Sequence, residues 1–251
     1  MVLKEKVCVV TGGGSGIGRS TAISMAMAGA QLVLIGRTLS KVDEVRVEIE
    51  KLGGVAESIL LDVGNSESVQ NTMTTVLEKY GRVDVLVNNA GHSSIHRTLS
   101  STTPEELQSV LESNLSGTIY CSQAVVPSMV KRKEGTIINV ASIAGLNPSR
   151  LAGLSYSAAK AAVINFTGFL NEELRNTGVR VSVVVPGEVD TPIMDKRPVP
   201  PSRESRSTMV TAEDVADAIF LIANLPQRAS VPELVIRPTY LRDFTAEVGV
   251  S

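Results

Sequence analysis

Short β-branched runs return along the chain, and longer helical patterns fill the intervals between them. The runs are KVCVVT at 6–11, QLVLIG at 31–36, AESILL at 56–61, VDVLVNN at 83–89, TIINVAS at 136–142, RVSVVVP at 180–186 and ELVIR at 233–237. The helical patterns cover roughly 17–29, 39–52, 66–80, 104–131, 155–177 and 211–224. Runs rich in Val and Ile, apolar toward both faces, suit a parallel sheet covered by helices on each side. Alternation of strand and helix, joined by right-handed crossovers, predicts an α/β chain with a doubly wound parallel sheet of about seven strands. No Pro/Gly-rich linker divides the 251 residues, so 1–251 reads as a single domain. The least regular stretch, 186–210, carries Pro186, Pro192, Pro198, Pro200 and Pro201. It follows the C-terminal end of a strand, the edge where such sheets bind ligands, and reads as a flap on the substrate side.

Composition excludes several classes of function. The 24 Lys+Arg and 26 Asp+Glu give a formal net charge of −2, with no charge block, which argues against nucleic acid as a partner. Aromatics make up 3% of the chain and Trp is absent, so no base-stacking platform is expected. Cys8 and Cys121 show no CxxC or Cys/His spacing, so reduced thiols and no metal site are expected. No run of about 18 apolar residues occurs and the N-terminus has no leader-like core; a soluble cytoplasmic protein, away from the membrane, is expected.

Residues 11–18 read TGGGSGIG, after the first strand and at the start of the first helix. Glycines let the backbone turn sharply and approach a ligand closely, and the helix N-terminus presents N–H groups suited to a pyrophosphate. The spacing is TGxxxGxG, on Thr11, Gly12, Gly16 and Gly18, with Gly14, Ser15 and Ile17 inside the turn. It is not GxGxxG, because Ile17 or Arg19 stands where that pattern needs glycine. An NAD site usually has an acid about 20 residues on, for the ribose hydroxyl. No acidic residue occurs from Arg19 to Val42, and Arg37 and Thr38 end the second strand instead. An arginine fork there suits a 2′-phosphate, so the expected cofactor is NADP(H).

The stretch SYSAAK at 155–160 places Tyr156 and Lys160 four residues apart, on one helix face. A free phenol has a pKa of about 10, and burial alone raises it. A lysine ammonium about 6 Å away contributes roughly 3 kcal/mol at an effective dielectric of ~20, or about two units downward. The pair therefore reads as an acid–base group drawn toward the working pH, with the charge of an oxidised nicotinamide adding to the lysine. Small neighbours leave room for ligands at the ring.

With TGGGSGIG at 11–18, NNAG at 88–91, Asn114, Ser142 and Tyr156-xxx-Lys160 in order, the chain resembles the short-chain dehydrogenase/reductase family over about residues 5–240. The resemblance implies a Rossmann-type fold and hydride transfer between an alcohol and a carbonyl. It implies that Gly12, Gly16 and Gly18 shape the pyrophosphate turn, and that Asp62 and Val63 lie near the adenine. It implies that Asn88, Ala90 and Gly91 line the ribose, and that Pro186, Gly187, Val189 and Thr191 cup the nicotinamide. By the same resemblance Tyr156 donates a proton to the carbonyl oxygen, Ser142 hydrogen-bonds that oxygen, and Lys160 also holds the ribose hydroxyls. Asn114 anchors a water that relays protons to Lys160; asparagine is a poor helix former, consistent with a specific role there.

The resemblance further implies a homodimer or homotetramer, paired through the helices near 104–131 and 155–177. Many members end in an ITG…VDGG-like strand and tail, whereas this chain reads LPQRASVPELVIRPTYLRDF. That ending is similar to NADP-dependent enzymes of small 3-hydroxy acids and related alcohols. Two alternatives stand beside a small carbonyl or alcohol substrate: a 3-oxoacyl-(acyl-carrier-protein) reductase, and an NADP(H)-sensing binding protein without turnover. His92 and His96 read as loop or pocket-rim residues. Arg150, Lys196, Arg197 and Arg203 are candidates to meet a substrate carboxylate, on what otherwise reads as a solvated, mobile flap.

Overall fold

A computed structural model of the protein describes residues 2–248. Its first half runs β1 (Val7–Thr11), α1 (Gly16–Met27), β2 (Gln31–Gly36), α2 (Leu39–Lys51), β3 (Val55–Leu60), α3 (Ser66–Tyr80) and β4 (Val85–Asn88). There follow α4 (Pro104–Leu111), a π-helical turn (Glu112–Ser116), α5 (Gly117–Arg132), β5 (Gly135–Val140), a short α6 (Ile143–Leu146) and the long α7 (Leu154–Glu173). Next come β6 (Val179–Pro186), β7 (Val189–Asp190), a 3-10 turn (Pro192–Lys196), α8 (Arg203–Arg206) and β8 (Val210–Thr211). The chain finishes with α9 (Ala212–Asn224), β9 (Glu233–Ile236) and a last 3-10 turn (Thr245–Glu247).

Seven strands form one parallel sheet in the order β3-β2-β1-β4-β5-β6-β9. Side chains alternate across it as the pleat requires. Cys8, Val10, Leu32, Leu34, Val85 and Val87 pack in one core. Val9, Val33, Ile35 and Leu86 pack in a second core on the other face. Helices α1, α2 and α9 supply residues to the first core, and α3, α5 and α7 to the second. This two-sided burial is why the runs read as continuously apolar in sequence. Strand order reverses between β1 and β4, so the chain leaves the sheet in opposite directions there and opens a crevice at the carboxyl edge.

Three expectations are refined. The pattern at 104–131 is not one helix; α4 and α5 are separated by the π-helical turn that contains Asn114. The pattern at 155–177 ends as a helix at Glu173, before Asn176 adopts a left-handed φ of 63°. The proline-rich stretch 186–210 is organised: β7 and β8 pair as Val189↔Val210 and Asp190↔Thr211, closing it at its base. Thr211 then caps α9, accepting from the Asp214 N–H at 3.2 Å while the Asp214 carboxylate accepts from the Thr211 N–H at 2.8 Å. Among the described residues no helix is long and apolar enough to cross a membrane. None of their His, Cys, Asp and Glu side chains form a group of three or more that could hold a metal ion.

Candidate active site

The glycine-rich turn leaves β1 against the end of β4, and the two are tied together. The buried Thr11 hydroxyl donates to the Val87 carbonyl at 3.3 Å and accepts from the N–H groups of Asn89 at 3.0 Å and Ala90 at 3.1 Å. Asn89 returns the contact through Nδ2, to the carbonyls of Thr11 at 3.1 Å and Gly12 at 3.2 Å. A Cβ at Gly18 would stand 2.2 Å from the Gly12 carbonyl oxygen, so only glycine lets α1 begin this close to the turn. Ser15 is the N-cap of α1 and spends no side-chain hydrogen bond on the helix. The first turn of α1 thus faces a cavity of about 510 Å3, whose wall includes Gly12, Ser15, Gly16 and Ile17.

The same wall takes in Ala90, Gly91, Asn114, Ser142, Tyr156, Lys160, Pro186, Gly187, Val189 and Thr191, from five separate stretches of the chain. Other expected residues stand apart from it. Thr11, Gly14 and Gly18 support the turn from behind. Gly14 packs on α2, where a Cβ would meet Lys41 at 3.0 Å. Arg37 and Thr38 follow β2 on the neighbouring edge of the sheet; both are exposed, and the Thr38 side chain does not cap α2. Asp62 and Val63 follow β3: the Asp62 carboxylate accepts from the Gly64 N–H at 3.0 Å, and Val63 is buried.

Asn88 stands apart from the rest of its motif. The strand pleat turns it away from the cavity, and its Nδ2 donates to Asn139 Oδ1 at 2.9 Å and Ser122 Oγ at 3.1 Å. It braces β4 against β5 and α5 and is not on the cavity wall.

Asn114 sits in the π-helical turn, where the extra residue per turn pushes its side chain toward the cavity. Nδ2 donates to the carbonyls of His92 and Val110, each at 3.0 Å, and Oδ1 is buried without a hydrogen-bond partner. Gly91 makes room for it, since a Cβ there would fall 2.3 Å from that oxygen. Lys160 is 4% exposed, and its ammonium donates to the Val140 carbonyl at 2.9 Å, at the end of β5. Its nitrogen lies 5.6 Å from the centre of the Tyr156 ring. Ser142 Oγ accepts from the Ala144 N–H at 3.2 Å, which leaves its own hydrogen to donate. The start of α7 is fixed by Ser94, whose hydroxyl accepts from the Tyr156 N–H at 3.0 Å.

The electrostatics set burial against the pull expected from Lys160 and an oxidised nicotinamide. The Tyr156 phenol is pushed above its ordinary value by burial, while a hydrogen bond with Ser142 and the charge of Arg197 pull the other way. Burial also drives the pKa of Lys160 down to about 8. Below that range the pair is a neutral phenol beside a charged amine, a proton donor poised for an oxyanion.

Sequence reasoning missed Ser94, Lys41, and the cavity-lining Glu188, Tyr240, Leu241, Arg242 and Phe244. None sits at a periodic or motif position that would single it out. His92 also lines the wall, its Nε2 3.1 Å from Ser109 Oγ, whereas His96 is paired with Glu106.

Burial of Lys160 has a measurable sign. Between about 8 and 10.5 the unfolded chain binds a proton at this lysine that the native chain has released, so stability rises with pH across that window. In denaturant titrations of the ligand-free protein, wild type should gain on Lys160→Met from pH 8 to pH 10, by at most about 3 kcal/mol. A difference that stays flat across the window would contradict the burial of the charge.

A family model of the short chain dehydrogenases matches residues 6–200. An uncharacterized oxidoreductase of Staphylococcus saprophyticus is 37% identical, over 94% of this chain and 98% of its own. A metagenomic short-chain oxidoreductase, solved in complex with NADP, is 34% identical with a TM-score of 0.84, covering 96% of this chain and 100% of its own. A serine dehydrogenase complexed with NADP+ is 27% identical with a TM-score of 0.86, covering 98% of each. This chain belongs to the short-chain dehydrogenase/reductase family, and its fold and oxidoreductase class are those of that family.

Proposed function

We propose that the protein is an NADP(H)-dependent enzyme that moves a hydride between the nicotinamide and a small carbonyl or alcohol, of the 3-hydroxy acid kind or related. The observation that carries this reading is the convergence of Ser142, Tyr156, Lys160 and Asn114 on one cavity at the strand-order reversal. The surroundings fit a dinucleotide. The glycine turn and the uncapped start of α1 suit a pyrophosphate, and Lys41 on the wall adds a cation. Arg37 and the unused Thr38 hydroxyl supply donors for a 2′-phosphate where an acid would serve NAD.

The nicotinamide, when bound, supplies or receives the hydride. The chain handles the proton. Tyr156 gives its phenolic hydrogen to the carbonyl oxygen as that oxygen gains charge, and Ser142 donates a second hydrogen bond to it. Lys160 sits beneath the phenol as the next proton reservoir, and the unpartnered Oδ1 of Asn114 is the acceptor a relaying water needs. An intact set argues against a sensor without turnover. The strap of C-terminal residues across the cavity, Tyr240 to Phe244, favours a free small substrate over one tethered to a carrier protein.

Self-association belongs to this reading. The outward face of α7 carries Ala158, Ala161, Asn165 and Gly168 beside Phe169, which is 63% exposed; such a flat face suits pairing with a second copy. The buried free thiols Cys8 and Cys121 suit the cytoplasm.

Tyr156→Phe should lower turnover at least ~100-fold while NADPH binding, followed by its fluorescence, is retained; a near-normal rate would remove the phenol from the mechanism. Arg37→Asp should weaken NADPH roughly 10- to 100-fold and leave NADH nearly unchanged; equal loss of both would reject the 2′-phosphate assignment. Light scattering should give two or four times the 26.6 kDa chain mass, and a pure monomer would reject the pairing.

A further inference from the structure

After β9 the chain turns back over the cavity. The Gly187 N–H donates to the Ile236 carbonyl at 2.8 Å, and Arg237 to Phe244 then form part of the cavity wall. This strap is held by four side chains. Arg242 grips Glu188 with Nε at 2.8 Å and Nη2 at 2.7 Å, and it grips Glu247 with Nη1 and with Nη2 at 3.0 Å. Arg197, at the end of the 3-10 turn, reaches Glu188 at 2.9 Å and Glu247 at 3.4 Å. Arg197 and Arg242 are 11% and 9% exposed, and Glu188 and Glu247 are 20% and 9% exposed.

The two arginines are used differently. Arg242 spends both forks on carboxylates. Arg197 lines the cavity and uses Nη1 alone, so Nε and Nη2 of its fork hold no hydrogen bond among the described residues. Its contact with Glu247 lies at the long end of hydrogen-bonding range. Arg97 stands behind Leu151 on the cavity wall, with Nε and Nη2 buried and unpartnered, and it senses both Arg197 and Glu247. Glu106 is near it as well, and accepts from the N–H groups of Ile95 and His96. Arg97, Arg197 and Arg242 thus stand with Glu106, Glu188 and Glu247, and what the cluster lacks is hydrogen-bond partners for Arg197. Donors left unpaired on a mostly buried guanidinium are costly, and a carboxylate from the cavity would satisfy them.

We propose that Arg197 is the recognition site for a carboxylate on the substrate, and that Glu247 of the C-terminal strap is the internal carboxylate this group replaces. The inference rests on the reading above for the reaction and adds the charge of the substrate. Arg197 meets the incoming carboxylate end-on, through the unused Nη2 and the Nη1 hydrogen that Glu247 releases, while Glu188 keeps the other Nη1 hydrogen. Arg197 and Tyr156 line the same cavity, so the bound carboxylate shares it with the proton donor. Glu247 keeps its stronger contacts with Arg242, so the strap stays attached as the Arg197 contact is exchanged.

The test compares acetoacetate with its neutral methyl ester as substrates under NADPH, and measures malonate binding to the NADP+-loaded protein by calorimetry. Arg197→Met should raise KM for acetoacetate at least ~10-fold more than KM for the ester, and weaken malonate about as much. Arg197→Lys, which keeps the charge and loses the fork, should recover part of both and guards against misfolding of the first variant. Glu247→Gln should tighten malonate and lower KM for acetoacetate relative to the ester. Three results would overturn the proposal: no malonate binding by wild type, an acid-to-ester ratio unmoved by Arg197→Met, or malonate weakened by Glu247→Gln. Arg197-dependent malonate binding without turnover of any carbonyl would support this site and reject the proposed reaction. Turnover of the ester and the acid alike, insensitive to Arg197, would do the reverse.

Discussion

The site depends on one buried cation. Lys160 is held in the interior by the Val140 carbonyl, at the point where β5 stops and the chain turns toward Ser142. That bond ties α7 to the end of β5, two residues before Ser142. It also has a cost: an ammonium with one carbonyl partner is poorly solvated, and its pKa falls to about 8. The same desolvation holds the phenol in its protonated form. Burial therefore gives the pair its direction, and in the proposed reaction tyrosine is the proton donor and lysine the group behind it.

Close approach of backbone to backbone is the second constraint. Thr11, Asn89 and Gly18 bring the exits of β1 and β4 and the start of α1 within contact, leaving no side chain between the sheet edge and the cavity. The π-helical turn does comparable work on the far side, moving Asn114 inward against Gly91. Both depend on particular residues at particular places, and the parallel sheet makes them rigid.

Most of this was legible in the sequence for physical reasons. Strands such as Val7–Thr11 are buried on both faces, so they read as unbroken apolar runs, and the intervals between them hold whole helices. Tyr156 and Lys160 were legible because four residues is one helical turn. Interactions between distant segments were not. The partner of Lys160 lies on another element, so the depth of its burial was not legible from spacing alone. Asn88 and Asn89 are adjacent in a motif, yet the pleat sends one into the core and leaves the other at the turn. The π-helical turn hides inside an ordinary helical pattern. The strap hides most fully, since Arg242 and Glu188 stand far apart along the chain and only the fold makes them neighbours. The stretch 186–210 read as an irregular flap because its two pairing strands are only two residues each.

The strap and the Tyr156–Lys160 pair are linked through Arg197, whose charge acts on the phenol. Positive charge from the strap side thus opposes the burial that dominates. The most direct test of this balance is a near-ultraviolet phenolate titration of the ligand-free protein, taken as wild type minus Tyr156→Phe. The account predicts that Tyr156 ionises above the ordinary tyrosine value of about 10, after Lys160 has lost its proton. Phenolate appearing near neutral pH would contradict it, and would mean that the lysine charge outweighs burial.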